Sequence, residues 1–206
     1  MDISALNQLF GNIDLYLLDQ ILKGRYTPEM KILDVGCGEG RNTIYFLREG
    51  YQIFGVDQDP IAIQMCRMQA RSIRKDYDIL RFQECAAEDL LFHEGAFDAV
   101  ISSAVLHFAQ SEEHFIQMWS ELCRVLKPGG SLFIRTVGDF GGLSAQSKNL
   151  GEGRFLLPDG SERFVLTENL LNVLLKRFKL GFLENPKSVL VLGQREMTSL
   201  MLIKEA

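Results

Sequence analysis

Two periods of hydrophobic residues alternate along the chain: helical stripes at three-to-four spacing and short continuous apolar runs. Leu6, Leu9, Phe10, Ile13, Leu17 and Ile21 predict helix over residues 3–22, broken near Gly11-Asn12. Ile32, Leu33 and Val35 predict a buried strand that ends in a turn with glycine at 36, 38 and 40. A helix over Arg41–Glu49 follows, with Gly50 placed to close it in the left-handed conformation. Gln52–Asp57 reads as a second strand. Asp59-Pro60 then starts a helix, aspartate as cap and proline in the first turn, that runs through Ala70 to about Ser72. Ile79–Cys85 and Phe97–Ser103 read as the third and fourth strands. Ser111 caps a helix with Glu112 and Glu113 in its first turn; its apolar face of Phe115, Met118, Trp119, Leu122 and Val125 reads as core. Leu126–Thr136 closes that helix with a Pro-Gly-Gly turn and enters a fifth strand. Residues 138–166 are rich in Gly and Ser around a Pro-Asp-Gly turn, a mobile substrate-side insertion followed by a hairpin. Thr167 caps a last helix that ends with Lys176, Arg177 and Lys179 ahead of Gly181, and strands near Ser188–Leu192 and Glu196–Ile203 finish the chain. This alternation implies the α/β class: a doubly wound, mostly parallel seven-stranded sheet with helices on both faces. We expect one domain over residues 1–206, with a helical cap at 1–24.

Chemistry is expected at the glycine turn. A chain leaving a strand sharply needs positive φ, and a missing Cβ lets a ligand approach the backbone. The helix beyond it aims its free N–H groups at the same point, so a polar or anionic ligand belongs there. The spacing G-C-G-E-G departs from the dinucleotide pattern G-x-G-x-x-G, whose third glycine would fall at Arg41, and the Gly-Lys-Ser/Thr of a phosphate loop is absent. Asp57, 17 residues beyond Gly40, sits at a strand end, where a carboxylate accepts both hydroxyls of a ribose. A solvated acid is the alternative.

From Asp34 to Gly40 the chain resembles motif I of the class I S-adenosylmethionine-dependent methyltransferases, an acidic residue followed by G-x-G-x-G. Ala86–Phe92 (AAEDLLF) is similar to the family's D-A-E-D-L-P-F segment, with Ala86 where the family carries its first acid. Phe97–Val100 matches the F-D-x-V opening of strand four. The resemblance covers the whole chain in layout and residues 31–136 in motifs. It implies S-adenosylmethionine as methyl donor, S-adenosylhomocysteine as product, and in-line transfer to a small-molecule acceptor. The donor contacts it implies are Asp34, Gly36, Cys37, Gly38, Gly40, Asp57, Gln58, Ala87, Glu88, Ser102 and Ser103. His107 is the candidate general base or substrate contact, against a structural histidine bonded to a loop carbonyl. Tyr16 reaches the site if the N-terminal helices fold over the donor; plain packing on the sheet is the alternative. Arg41, Arg135, Arg154 and Phe140 are substrate-side candidates, with Arg163 beside them; an anionic acceptor would use the forked guanidinium groups, whereas each alone reads as a surface charge. The run Gly40–Tyr51 and the ending EMTSLMLIK are similar to the small tellurite-resistance and thiopurine-type methyltransferases, which implies a small soft or anionic nucleophile. Because the donor brings its own activated leaving group, alignment carries much of the barrier and no catalytic dyad is required.

Composition narrows the alternatives. A formal charge of −5 gives no electrostatic footprint for nucleic acid, and Ser-Ser-Ala-Val stands where base methylases carry Asn/Asp-Pro-Pro-Tyr. Nucleic-acid or protein methylation, or a non-methylating nucleotide-binding module, therefore rank second. Four scattered cysteines without a C-x-x-C pair suggest free thiols in a reducing cytoplasm, and three unpaired histidines argue against a zinc site. There is no apolar run of membrane-spanning length and no signal-peptide layout at MDISALNQLF. Monomer and homodimer both remain open.

Overall fold

The computed structural model describes residues 2–205. Its elements are α1 (Ile3–Phe10), α2 (Leu15–Leu22), β1 (Lys31–Val35), α3 (Thr43–Arg48), β2 (Gln52–Asp57), α4 (Pro60–Ile73), β3 (Phe82–Glu84) and β4 (Phe97–Ser103). They continue with α5 (Glu112–Val125), β5 (Leu126–Val137), β6 (Lys148–Gly151), β7 (Arg154–Leu156), β8 (Glu162–Phe164), α6 (Glu168–Phe178), β9 (Leu180–Val191) and β10 (Arg195–Lys204). Seven strands form one sheet in the order β3-β2-β1-β4-β5-β10-β9. All pairings from β3 to β5 are parallel, and β10 runs antiparallel between β5 and β9. The expected doubly wound, mostly parallel architecture is present.

Strand alternation sends successive side chains to two cores. Ile32, Ile53, Ala99, Ile101, Phe133 and Met201 face α2, α3 and α4, which contribute Leu17, Phe46, Leu47, Ile63 and Cys66. Leu33, Val35, Val100, Leu132, Ile134 and Leu200 face α5 and α6, which contribute Phe115, Trp119, Leu122, Leu171 and Leu174. The caps read from sequence at Asp59, Ser111 and Thr167 each accept the expected backbone N–H. Every parallel strand thus delivers its carboxyl end to one edge.

Several boundaries differ from expectation for local reasons. Helix α3 starts two residues late and spans six residues, because Thr43 N and Ile44 N both donate to Gly40 O and hold Arg41-Asn42 in the turn. Strand β3 is only three residues long: the Asp78 carboxylate accepts from Leu80 N and winds Ile79–Arg81 into a 3-10 turn. The Pro-Gly-Gly segment does not precede β5. It loops out within it, so that Leu126 pairs with Phe97 and Ser131 with Ala99. Strand β9 begins at Leu180 and passes through Pro186, which an edge strand tolerates. The expected mobile insertion carries structure throughout: a 3-10 turn at Leu143–Gln146, then a three-stranded antiparallel sheet in which β7 and β8 form the expected hairpin around Pro158-Asp159-Gly160. Leu143, Leu157 and Val165 pack there with Val137, Met197 and the β4 exit at Ala104. Among the described residues no helix is long and apolar enough to cross a membrane.

Helix α6 is closed by Lys179, not by Gly181. Lys179 takes φ 51°, ψ 56° and its N–H reaches Leu175 O. A side chain in that conformation is strained where glycine is not. Lys179→Gly is expected to raise stability by about 0.5–1 kcal/mol, read as a higher urea midpoint with an unchanged slope.

Candidate active site

At the shared edge of the sheet lies a crevice of about 480 Å³, lined by Gly36, Asp57, Gln58, Cys85, Ala87, Glu88, Ala104, Val105, Phe108, Gln110, His114 and Met118. Its floor is the turn after β1. Gly36 N and Cys37 N donate to Val56 O at 2.8 and 2.9 Å, so the turn is tied to β2. Gly38 N donates to Asp57 Oδ2 at 2.8 Å, and Asp57 Oδ1 accepts from Asp59 N at 3.0 Å. Two glycines here have distinct reasons. A Cβ on Gly36 (φ 72°) would collide with the Val105 side chain, which fixes how closely β1 and the β4 exit approach. Gly38 (φ 53°) faces open space, so its backbone is the part of the turn a ligand can reach. Ala104, a non-glycine residue at φ 65°, makes the bend by which the chain leaves β4 for the crevice wall.

The structure brings together Gly36, Asp57, Gln58, Ala87 and Glu88 of the expected donor contacts. It places others behind the wall. Cys37 is buried beside Cys66, and that neighbour together with burial pushes its thiol well above the usual range. Gly40 is packed under Thr43 and Cys66. Ser102 is buried with its hydroxyl unpartnered, and Ser103 Oγ donates to Asp14 Oδ2 at 3.0 Å. Asp34 is buried on the α3–α4 side of the sheet with neither carboxylate oxygen partnered. Burial, opposed by Arg41 and reinforced by Asp57 and Asp14, raises its carboxyl to about 8.

Several substrate-side candidates are engaged within the chain. Arg135 does not stand free for an anionic acceptor: its Nη1 donates to Asp14 Oδ2 at 2.9 Å. Arg154 pairs with Glu162 at 2.8 Å on the small sheet, away from the crevice lining. Phe140 is held by its N–H, which donates to the buried Glu196 at 2.8 Å, and it packs against the core. Tyr16 lies under two cations, Arg135 at 5.8 Å and Lys187 at 6.0 Å from its ring. Arg163 lies 4.8 Å over the Phe108 ring. His107 is not a crevice residue. Its ring is buried against Phe108 at 4.6 Å, and burial first, then Arg163, Arg195 and Arg135, push the imidazole down to about 3. Off the crevice lining, and made by burial a poor acceptor of a proton, the ring is badly placed for the expected base role.

Sequence reasoning missed Asp14, Asn42 and His114. Asp14 caps α2 through Tyr16 N and Leu17 N, and it binds Ser103 and Arg135, while its own N–H donates to Asn42 Oδ1 at 3.1 Å. This one residue ties the N-terminal helices to the ends of β4 and β5 and to the glycine turn. Its position just after the Gly11-Asn12 break, ahead of an apolar stripe, was the available signal.

Residues 33–134 match the family model of the methyltransferase domain. Over those residues the chain carries a methyltransferase domain. It is 38% identical over 136 residues to the mitochondrial ubiquinone biosynthesis O-methyltransferase of Rattus norvegicus, a match covering 59% of this chain and 37% of that protein. The chain spans less than half the length of the curated relatives it matches. The fold is shared with a SAM-dependent methyltransferase of Methanosarcina mazei (TM-score 0.70, 22% identity, 90% of this chain and 97% of that one). It is shared too with the geranyl diphosphate C-methyltransferase of Streptomyces coelicolor in complex with S-adenosyl-L-homocysteine (TM-score 0.68, 17% identity, 92% and 77%).

Asp34 generates a pH test. Its folded pKa lies above the unfolded value, so the native state holds one more proton than the unfolded chain between about pH 4 and 8, and stability falls as pH rises through that window. Asp34→Asn is expected to remove the loss, its gain over wild type growing with pH by at most about 1.4 kcal/mol per unit and levelling off above pH 8. Thermal denaturation of both proteins at pH 5, 6.5 and 8 measures it; a pH-independent difference would remove Asp34 as the cause.

Proposed function

We propose that this protein transfers the methyl group of S-adenosylmethionine to an oxygen nucleophile on a small molecule, in the cytoplasm. One observation carries the reading: Asp57 closes β2 at the crevice wall with one carboxylate oxygen on the Gly38 amide, leaving further lone pairs for a ribose diol. The crevice residues fit the donor. Its sugar would lie on Asp57, its base between Gln58 and the loop at Ala87–Glu88, and its tail over the open backbone of Gly38. When bound, the donor supplies an activated methyl group and a leaving group. The protein's part is to hold the acceptor in line and keep water out.

Support for an oxygen nucleophile comes from the curated O-methyltransferase relatives, and it stands against the soft nucleophile implied by the Gly40–Tyr51 run. The acceptor would enter between Ala104–Phe108 and the insertion, whose small core packs on Ala104 and whose Arg163 covers Phe108. With His107 off the crevice lining and burial lowering its affinity for a proton, acceptors already acidic enough to ionise near neutral pH, such as catechols, suit this site best. The cytoplasmic reading is supported by four cysteines that are all free thiols.

Titration calorimetry with S-adenosylhomocysteine tests donor binding; Asp57→Ala is expected to weaken it about tenfold, the loss of a charge-assisted pair. Labelled S-adenosylmethionine offered with catechols, phenols, thiols, amines and oxyanions tests the acceptor. Label confined to thiols or oxyanions would refute the oxygen reading. Turnover by His107→Phe within about threefold of wild type is expected from a histidine that takes no proton; a fall beyond about a hundredfold, with donor affinity unchanged, would restore it as a base.

A further inference from the structure

Strand β9 closes one end of the large sheet, and along most of its length that open edge is guarded. Unpaired N–H and C=O groups on an edge invite another strand, so soluble chains blunt them with proline, lysine or a bulge. Here Pro186 and Lys187 stand side by side, and the β9–β10 register slips at the same place: Ser199 pairs with Lys187, but Met201 with Glu184. Lys187 is also tied to Asp19 of α2 and to Glu184. Beyond Lys187 the guards stop. Residues 188–194 read SVLVLGQ, with no charge and no proline.

This unguarded stretch is the tip of the β9–β10 hairpin, and it is apolar on both faces. Val189, Leu190, Val191 and Leu192 are 40, 38, 53 and 88% exposed, whereas Glu196, Met197 and Thr198 across the ladder are buried. Successive strand residues point to opposite faces, so the patch wraps the edge. Four consecutive exposed aliphatic side chains form a patch of the kind that marks a contact surface. Leu192 turns the hairpin at φ 51°, a conformation that glycine or asparagine takes more readily, and at that exposure its side chain gains little from its own chain. Behind the tip, Arg195 holds Asp159 at 2.7 Å and fastens the hairpin to the insertion, so the edge is presented in a fixed pose.

We propose that this tip is an interface with a second copy of the chain, the two β9 strands pairing antiparallel about a two-fold axis at Leu190. The charge pattern selects that occupant. A two-fold axis normal to an antiparallel pair sets one residue of each strand opposite its own copy, and Leu190 is the middle of the uncharged run 188–192. Val189 then faces the partner's Val191, and Val191 the partner's Val189. Leu192 of each tip lies beside Ser188 of the other. Aliphatic side chains meet aliphatic ones, and no charge opposes a like charge. The two Lys187 side chains are kept about 20 Å apart along the ladder, beyond the reach of unscreened repulsion. With only residues 188–192 on each side, the contact lies at the small end of specific interfaces, so association is reversible. None of these residues lines the crevice, and the interface stands independently of what the crevice binds.

Sedimentation velocity of the full chain from about 2 to about 200 μM tests the pairing, with dimer expected to grow across that range. Val189→Lys and Val191→Glu each set a lone charge against an aliphatic side chain, and each is expected to weaken association by about tenfold or more. Because position 189 faces position 191 across the axis, mixing the two variants should bring the dimer back, lysine of one against glutamate of the other. Far-ultraviolet circular dichroism on each variant confirms that the fold persists. Recovery on mixing separates this register from unspecific clustering of apolar surface, which a pair of charges would not repair. A wild-type chain that stays monomeric across the range would overturn the proposal, and flotation of that monomer with phosphatidylglycerol vesicles would assign the tip to a lipid surface instead. A wild-type dimer that neither substitution weakens would place the interface on another face. Variants that weaken it yet do not recover on mixing would overturn the pairing about Leu190.

Discussion

A single carboxylate shapes the functional edge of this fold. Asp57 ends β2, and its bond to Gly38 N fixes the turn that ends β1, so two adjacent strands stop at the same height with the turn held open between them. A charge-assisted bond to a backbone amide is among the stronger local restraints available, and here it acts across 19 residues of sequence. Its partner restraint is steric. Gly36 admits the Val105 side chain where any Cβ would collide, which draws the β4 exit against the turn and makes the crevice narrow. The crevice therefore needs no ligand to define it: its floor is set by hydrogen bonds of the chain to itself, and its side wall by one missing methyl.

Most of the fold could be read from the chain because each element announces itself locally. The continuous run KILDV, the caps Asp59, Ser111 and Thr167 and the helical stripe 115–125 are short-range signals, and the elements they predict appear within one or two residues. The misreadings share a cause, which is competition from other hydrogen-bond partners, some near in sequence and some distant. Helix α3 loses its first turn where Asn42 is turned to Asp14 N, and Ile79–Arg81 leaves the strand because Asp78 offers it a turn instead. Lys179 takes a glycine's conformation since the chain must reverse at once into β9, where Glu205 N is waiting for its carbonyl.

The site was legible in part, and the boundary is physical. Residues that act through backbone geometry or at a strand end, such as Gly36, Gly38 and Asp57, carry their role in local spacing. Residues that act through tertiary pairing do not. Nothing in the sequence says that Arg135 is spent on Asp14, that Arg154 faces Glu162, or that His107 lies behind Phe108. Charged side chains at strand ends were read as ligand contacts because that edge is where ligands bind; the chain uses half of them to close on itself. His114 escaped notice for the opposite reason, sitting one residue from the apolar stripe of a helix that was read as core.

The polar network around Asp14 explains why the N-terminal helices belong to the site without lining it. Helix α1 buries none of its side chains, and α2 buries Leu17, Gln20 and Ile21. Apolar area of that size is worth only a few times about 1.5–3 kcal/mol, too little to hold a sixteen-residue pair firmly against thermal motion by itself. Polar contacts supply the remainder, and they are placed at both ends of α2. Asp14 binds the ends of β4 and β5 at one end; at the other, Asp19, Lys23 and Glu184 join α2 to β9, with Lys187 completing the set. Exposed pairs of the second kind contribute little each and weaken with salt, whereas the Asp14 contacts are buried and directional. The buried contacts of Asp14 thus fix the cap where it meets the strand ends, and alignment of a donor and an acceptor demands fixed geometry there.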